Sequence, residues 1–376
     1  MGKNKPETEN IIEKKGNVLV SIIIPVHNGE KCIKRIANRM LNQSLKDIEL
    51  ILVENFSADR SLKVCQDIAE KDARVVVVQS FEKGTSLARK KGIETATGKY
   101  TFFCDQDDDL VDNHAIEDMY RIIEASEAQL CQFAIYTKRL MPIKKVCTNE
   151  QRIFTIDEIR HKEFVSILSG RGYLSPTVWS KMYDTSVLKD ALQYLDLSLF
   201  YGEDQYLNMS YLRSNLIKKV CVDPHAFYVW YQGVGFSAKQ SSGLALLKDY
   251  NQTKLRFETI MEEFHADRDA FFDNYLETMY FTMLLMIDET KCMDSEKSYE
   301  FIRYVNNLEF VQMTKRKLRY MPDMLYEELE FLISDYSPKD FCDRFRYRTK
   351  TSFFDKYKKY WNYCKRLVQK NSGTSK

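Results

Sequence analysis

The sequence predicts an α/β fold, a mostly parallel sheet with flanking helices, and three observations predict it. β-branched apolar runs recur in the first third of the chain. Stretches of helical period separate them, and each connection between the two is short. Residues 18–25 are the first run, as expected of a strand buried on both faces. The helix after it carries Cys32, Ile33, Ile36, Ala37, Met40 and Leu41 at helical spacing, with Asn28 as its N-cap. Residues 48–53 form a second strand, and Asp59 caps a helix bearing Leu62, Val64, Cys65 and Ile68. Residues 74–78 are a third strand, 84–96 a helix closed by Gly98, and 100–104 a fourth strand. Beyond it the pattern gives helices over 112–125, 154–168 and 185–192, and one opening at Gly202. Strands follow from 129–136, 175–183, 220–222 and 227–231. From about Ser237 helical periodicity dominates. The expected organisation is a loosely attached lead (1–17), an α/β domain (18–236) and a helical domain (237–376).

Composition bounds the function. The 376 residues carry a net charge of only +2, so nothing global points to nucleic acid. Nine scattered cysteines with no Cys-x-x-Cys give no zinc pattern and suggest a reducing compartment. No secretory leader is read in residues 1–16, and no apolar run reaches the length of a membrane span. The expected location is therefore cytoplasmic. Residues 342–376 hold eleven Lys or Arg against two Asp. There Phe353, Tyr357, Tyr360, Trp361, Cys364 and Leu367 step by three or four among lysines. Such a stripe over 350–370 suits either peripheral contact with the inner face of the cell membrane or a helix packed on the protein.

The fourth strand ends in Asp105-Gln106-Asp107-Asp108-Asp109, four carboxylates in five residues. Oxygen ligands without thiolate or imidazole suit Mg²⁺ or Mn²⁺. Alone, the cluster reads as a helix-capping turn. Its position changes that reading, because α/β sheets bind ligands beyond the carboxyl ends of their strands. Pro25, Val26 and His27 end the first strand and Glu54 and Asn55 the second, so three polar clusters converge on one edge.

These pieces resemble family 2 glycosyltransferases of the GT-A fold. Val20 to Asn28 is similar to the opening strand, and Val53-Glu54-Asn55-Phe56-Ser57-Ala58-Asp59 stands where that family has Val-Asp-Asp-Gly-Ser-x-Asp. Gly84, Ser86, Ala88, Arg89, Gly92 and Gly98 resemble the helix before the metal strand. Asp105-Gln106-Asp107-Asp108 resembles the metal motif, Trp179-Ser180-Lys181 a later Trp-Asn-Lys segment, and Glu203-Asp204 the acceptor-side pair. The resemblance covers residues 18 to 237 and is of the bacterial cell-envelope polysaccharide type. It implies transfer of a sugar from a nucleotide diphosphate donor, UDP-linked, to a hydroxyl of a glycan or lipid-linked acceptor. By the same analogy Asp107 holds the metal and Asp105 faces the nucleotide. Pro25, Val26, His27 and Glu54 line the base pocket, and Arg89 places a cation near the diphosphate. Asp204 is then the general base, with Glu203 orienting it or binding acceptor hydroxyls. Trp179 stacks on a sugar or sits in the core, and Lys181 reaches a phosphate or the acceptor. Two alternatives stand beside this reading. One is a non-catalytic sugar- or partner-binding scaffold, favoured by the altered Glu54-Asn55-Phe56. The other is a nucleotidyltransferase, which would place a Gly-rich phosphate loop after strand one.

Overall fold

The computed structural model describes residues 17–138, 144–146, 150–169, 173–199, 202–231 and 255–268. The chain forms two compact units, residues 1–238 and 239–376. In the second, residues 255–263 are helical, with Phe257, Ile260, Met261 and Phe264 buried at helical spacing. The remainder of the expected helical domain, including the basic aromatic stripe at 350–370, lies outside the described residues.

The first unit begins with β1 (Val20–Val26), α1 (Ile33–Leu41), β2 (Ile48–Asn55), α2 (Ser61–Ala69), β3 (Val75–Ser80), α3 (Thr85–Thr95) and β4 (Tyr100–Phe103). Next come β5 (Asp109–Leu110), α4 (Ala115–Ser126), β6 (Leu130–Lys138), β7 (Lys144–Val146) and β8 (Arg152–Thr155). The helical turn α5 (Ile156–Glu158) leads through a wider turn into α6 (Phe164–Ser169). Last are β9 (Lys181–Asp184), α7 (Thr185–Ala191), α8 (Glu203–Arg213) and β10 (Lys219–Tyr231). One sheet runs in the order β3-β2-β1-β4-β9-β6-β10-β5, with β7 and β8 paired at its margins. β1 lies parallel to β2 and β4, β2 to β3, and β6 to β10, whereas β9 is inserted antiparallel between β4 and β6. Every residue of β1, β2 and β4 except Pro25 is buried, which is why aliphatic and aromatic residues dominate these strands, and the buried Ser21 and Glu49 are hydrogen-bonded to each other. No described helix is long and apolar enough to cross a membrane. The five described cysteines are free thiols.

Several local expectations change. Asn28 does not cap α1, whose N-cap is Cys32 with no side-chain bond. Its Oδ1 instead accepts from the backbone of Ala58. Residues 154 and 155, the expected start of a helix, belong instead to the edge strand β8, antiparallel to β10. The helix starts two residues later than expected, at Ile156, behind a reciprocal Thr155–Glu158 capping box. The two expected strands at 220–222 and 227–231 are one strand, β10, with an irregularity between Asp223 and Tyr228 that accommodates Pro224.

Candidate functional site

The carboxyl ends of β1, β2 and β4 are tied to one another by side chains acting on backbone. Gln106 accepts from His27 N at 3.1 Å and donates to His27 O at 2.9 Å, which joins the acidic turn to the end of β1. His27 Nδ1 lies 2.7 Å from Asn55 O, and Asn55 Oδ1 accepts from Gly84 N, the residue preceding α3. Gly29 is required for the first of these contacts, because a Cβ there would fall 2.2 Å from Gln106 Oε1. Asn28, Gly29 and Glu30 donate their backbone N–H groups to Ser57, Ser61 and Asp59. With those donors engaged, the loop after β1 has no N–H cradle for a phosphate, which argues against the nucleotidyltransferase alternative.

The four carboxylates of the acidic turn divide into two kinds. Asp109 is bound by Arg35 and Arg39, each at 2.8 Å, from α1. Asp108 is 2% exposed and accepts from Tyr228 Oη at 2.6 Å and Tyr231 N at 2.9 Å. Its burial, with Asp105 and Asp107 close by, pushes its carboxyl up to about 8 against those hydrogen bonds. These two hold the turn in place. Arg35 also donates to the carbonyls of Asp107 and Asp108, pinning the turn's backbone. The Asp107 carboxylate, by contrast, accepts no hydrogen bond from any described residue. Asp105 is partly exposed, and its nearest cation is Arg89 at 3.9 Å. Loss of hydration pushes Asp105 up to about 6. Arg89 opposes the shift, and Asp204 and Asp107 add to it.

Among the described residues no three His, Cys, Asp or Glu side chains converge as a preformed metal cage. Mg²⁺ and Mn²⁺ do not need one. Such ions are commonly held by one or two carboxylates while substrate phosphates and water complete the shell. An unengaged Asp107 beside Asp105 fits that donor set.

Arg89, on α3, is the electrostatic centre of the site. Its side chain is 5% exposed and its guanidinium meets carboxylates from two distant segments. It is hydrogen-bonded to Asp204, lies 3.6 Å from Glu203 and 3.9 Å from Asp105. Burial works against its charge, but Asp204, Glu203 and Asp105 together raise its pKa further. The sequence placed Arg89 toward a diphosphate, whereas here its partners are the protein's own carboxylates. Glu203 and Asp204 open α8 after Gly202, which takes φ 75°, and negative charge is favoured at that end of a helix. Asp204 also accepts from Val178 N at 3.3 Å. Burial and the adjacent Asp204 push Glu203 up to about 7, with Arg89 pulling it back.

The remaining expected residues are brought near the site but face inward. Val26 is fully buried in the core, so only its backbone reaches the strand-end edge, and Pro25 is partly buried beside it. Glu54, 6% exposed, accepts from Ser57 N at 2.6 Å and holds the β2–α2 turn. Trp179 is 7% exposed and stacks on Tyr228 at 5.1 Å and 7°, with Trp230 at 5.5 Å, which is the core option of the two the sequence left open. Tyr228 was missed at the sequence level, although its hydroxyl both accepts from Asp105 N and donates to Asp108. Trp179 thus supports the acidic turn through Tyr228. His225 bonds Asp223.

Lys181 is 1% exposed and its ammonium donates to Ser175 O, Ser175 Oγ and Thr177 O, so it ties the 175–177 segment together from inside. Burial pulls its pKa down to about 7 against the charge of Asp204. Lys181→Met is expected to cost about 2–3 kcal/mol at pH 7, because it strands those acceptors. In the folded wild type Lys181 releases its proton at about 7, but unfolded only near 10.5. Between those values the folded state binds fewer protons, so wild-type stability rises with pH. The K181M deficit in urea unfolding should therefore be wider at pH 9.5 than at pH 7.

Residues 21–165 match the family model of glycosyl transferase family 2. Over those residues the chain is similar to glycosyl transferase family 2 domains. The matched segment contains β1 through the acidic turn and Arg89, while Trp179, Lys181 and the Glu203–Asp204 pair lie beyond it. The transferase domain has curated relatives. The chain is 28% identical to the uncharacterized glycosyltransferase EpsJ of Bacillus subtilis over 204 residues, 52% of this chain and 56% of EpsJ. It is 25% identical to the glycosyltransferase GlyA of Streptococcus pneumoniae over 211 residues, 53% of this chain and 29% of GlyA. The chain therefore spans at most just over half the length of either relative. The fold is that of S. aureus TarS 1–349, solved in complex with UDP-GlcNAc. The TM-score is 0.59 at 19% identity, covering 87% of this chain and 89% of that one.

Proposed function

We propose that the protein is a metal-dependent, inverting glycosyltransferase that moves a sugar from a nucleotide diphosphate donor, UDP-linked, to a hydroxyl of a glycan or lipid-linked envelope acceptor. The observation that carries this reading is the meeting of Asp105, from the end of β4, with Glu203 and Asp204, from the start of α8, around the buried guanidinium of Arg89. Donor-side and acceptor-side carboxylates are thereby held at one place although nearly a hundred residues separate them in sequence.

In this mechanism Asp204 accepts the proton of the acceptor hydroxyl as that oxygen forms its bond to the anomeric carbon. The bond from the anomeric carbon to the diphosphate breaks on the opposite face, which inverts the centre. Arg89 and the Val178 N–H keep the Asp204 carboxylate fixed, so no reorganisation is needed as charge moves. Glu203, poised near 7, is placed to hydrogen-bond the acceptor. A divalent cation held by Asp107 would neutralise the charge growing on the leaving diphosphate.

The test is turnover of UDP-sugars with and without Mn²⁺ in wild type and Asp107→Ala. Wild-type transfer is expected to vanish on chelation and to return with Mn²⁺. The D107A variant should lose at least about a hundredfold in kcat, the scale of a single electrostatic contributor. Full turnover by D107A would remove the metal assignment. Absence of both transfer and donor hydrolysis in the wild type would favour the non-catalytic scaffold.

A further inference from the structure

The residue after β2 is Phe56, and its backbone lies at φ 54°, in the left-handed region. The family pattern has glycine at this position, and a bulky side chain there is a genuine backbone outlier. Strain of this kind persists only where the surroundings over-determine it. They do so here. Glu54 accepts from Ser57 N, Asn28 accepts from Ala58 N, Asn28 N donates to Ser57 Oγ, and Asn55 accepts from Gly84 N. The bonds flank Phe56 on both sides. The ring itself is left 61% exposed, so core packing does not explain it. The other exposed aromatic among the described residues, Phe81 at 83%, follows the next strand. Asn55 and Ser80, the residues just before the two rings, are register partners.

Resting on the nucleotide-sugar reading above, we propose that Phe56 is the platform on which the planar base of the donor nucleotide stacks. β2 is two strands from β4 in the sheet, so the strand ends that carry Phe56 and the acidic turn lie about 10 Å apart along the edge. That is the reach of a nucleoside from its base to its diphosphate. One end of this span holds the unengaged Asp107 and the other the exposed ring, with His27 between them at the end of β1. A lipid surface or a second protein would need a broad apolar face. The turn bearing Phe56 instead carries Asp59 and Arg60, the latter with its side chain 84% exposed, and is bonded to Asn28 of the loop after β1. Because every base has a π face, the stack tolerates different bases. What it selects is the class of donor: nucleoside diphosphate sugars over sugars carried on a lipid phosphate, which have no ring to place there.

The test uses the full chain with Mn²⁺ and titrates UDP, GDP, CDP, ADP, dTDP and inorganic pyrophosphate by calorimetry. Phe56→Asn removes the ring and places at φ 54° a residue that tolerates that conformation. It is expected to weaken the tightest-binding nucleotide about tenfold. Pyrophosphate affinity should be unchanged and the melting temperature equal or higher. Phe56→Trp should restore nucleotide affinity. Phe81→Asn, one strand farther from Asp107, is the matched control for unspecific apolar contact and should bind as the wild type does. If F56N binds the nucleotide within twofold of wild type, or loses nucleotide and pyrophosphate alike, Phe56 is not a stacking platform and the donor reading is untouched. If no nucleotide binds the wild type, the donor reading itself fails and takes this inference with it.

Discussion

Asp204→Asn is expected to lower kcat for sugar transfer by about a thousandfold, within the range a positioned general base supplies. The substitution keeps the shape of the side chain and one oxygen for the Arg89 guanidinium, while the long 3.3 Å bond from Val178 N, made to the other oxygen, is given up, so the Arg89 cluster and the α8 N-terminus should persist. What it removes is the capacity to take a proton. The loss should therefore fall on kcat, with nucleotide affinity by calorimetry and the thermal melt close to wild type. The companion variant Glu203→Gln should be far milder in kcat and act chiefly on acceptor KM. If D204N retains activity within tenfold and E203Q does not, the base is Glu203, and Asp204 is a partner of Arg89 only.

The second large effect belongs to Arg89. Arg89→Met leaves Asp204, Glu203 and Asp105 without their shared cation, and breaking a buried pair in this way typically costs about 3–5 kcal/mol. Arg89 is also what opposes the upward shifts of Glu203, near 7, and Asp105, near 6. Without it both carboxyls move further up, so the acid limb of the kcat/KM profile for the acceptor should shift to higher pH. Activity and stability then respond in opposite directions. Raising the pH ionises the crowded carboxylates, which restores part of the rate but increases their repulsion and lowers the melting temperature. Arg89→Lys keeps the charge without the planar fork and should fall between, with its acid limb near that of wild type. An R89M profile whose acid limb coincides with wild type would falsify the role given to this residue.

The parts of this molecule that could be read in advance are those whose physics repeats along the chain. β1, β2 and β4 are buried on both faces, so apolar residues run through them without the alternation of a half-exposed strand. The helices between them show their buried faces at intervals of three and four. The acidic turn was visible because four carboxylates in five residues require an external explanation. The unread parts depend on single contacts between distant residues. Asp109 had no explanation until α1 supplied Arg35 and Arg39, roughly seventy residues earlier. Tyr228 and Trp179 look like ordinary strand aromatics, and only the register of β10 against β5 brings Tyr228 beneath the acidic turn. Residues 154 and 155 were read as helix because an edge strand with one partner need not alternate cleanly, and a strong capping box begins at its last residue. Lys181 was placed toward a phosphate or the acceptor because the Trp179-Ser180-Lys181 segment carries no sign that the lysine is enclosed.

The link between Gln106 and His27 has a consequence for exchanging sequence with relatives. The middle residue of the acidic motif is commonly treated as a spacer, but here it makes two ladder-like bonds to the end of β1 and occupies the space a side chain at position 29 would need. Positions 29 and 106 therefore have to be exchanged together. A chimera that imports the acidic turn from one parent and the first loop from another risks a clash or a void at that junction even when every carboxylate is retained. Crossovers placed before β1 and after α4 would carry the pair intact.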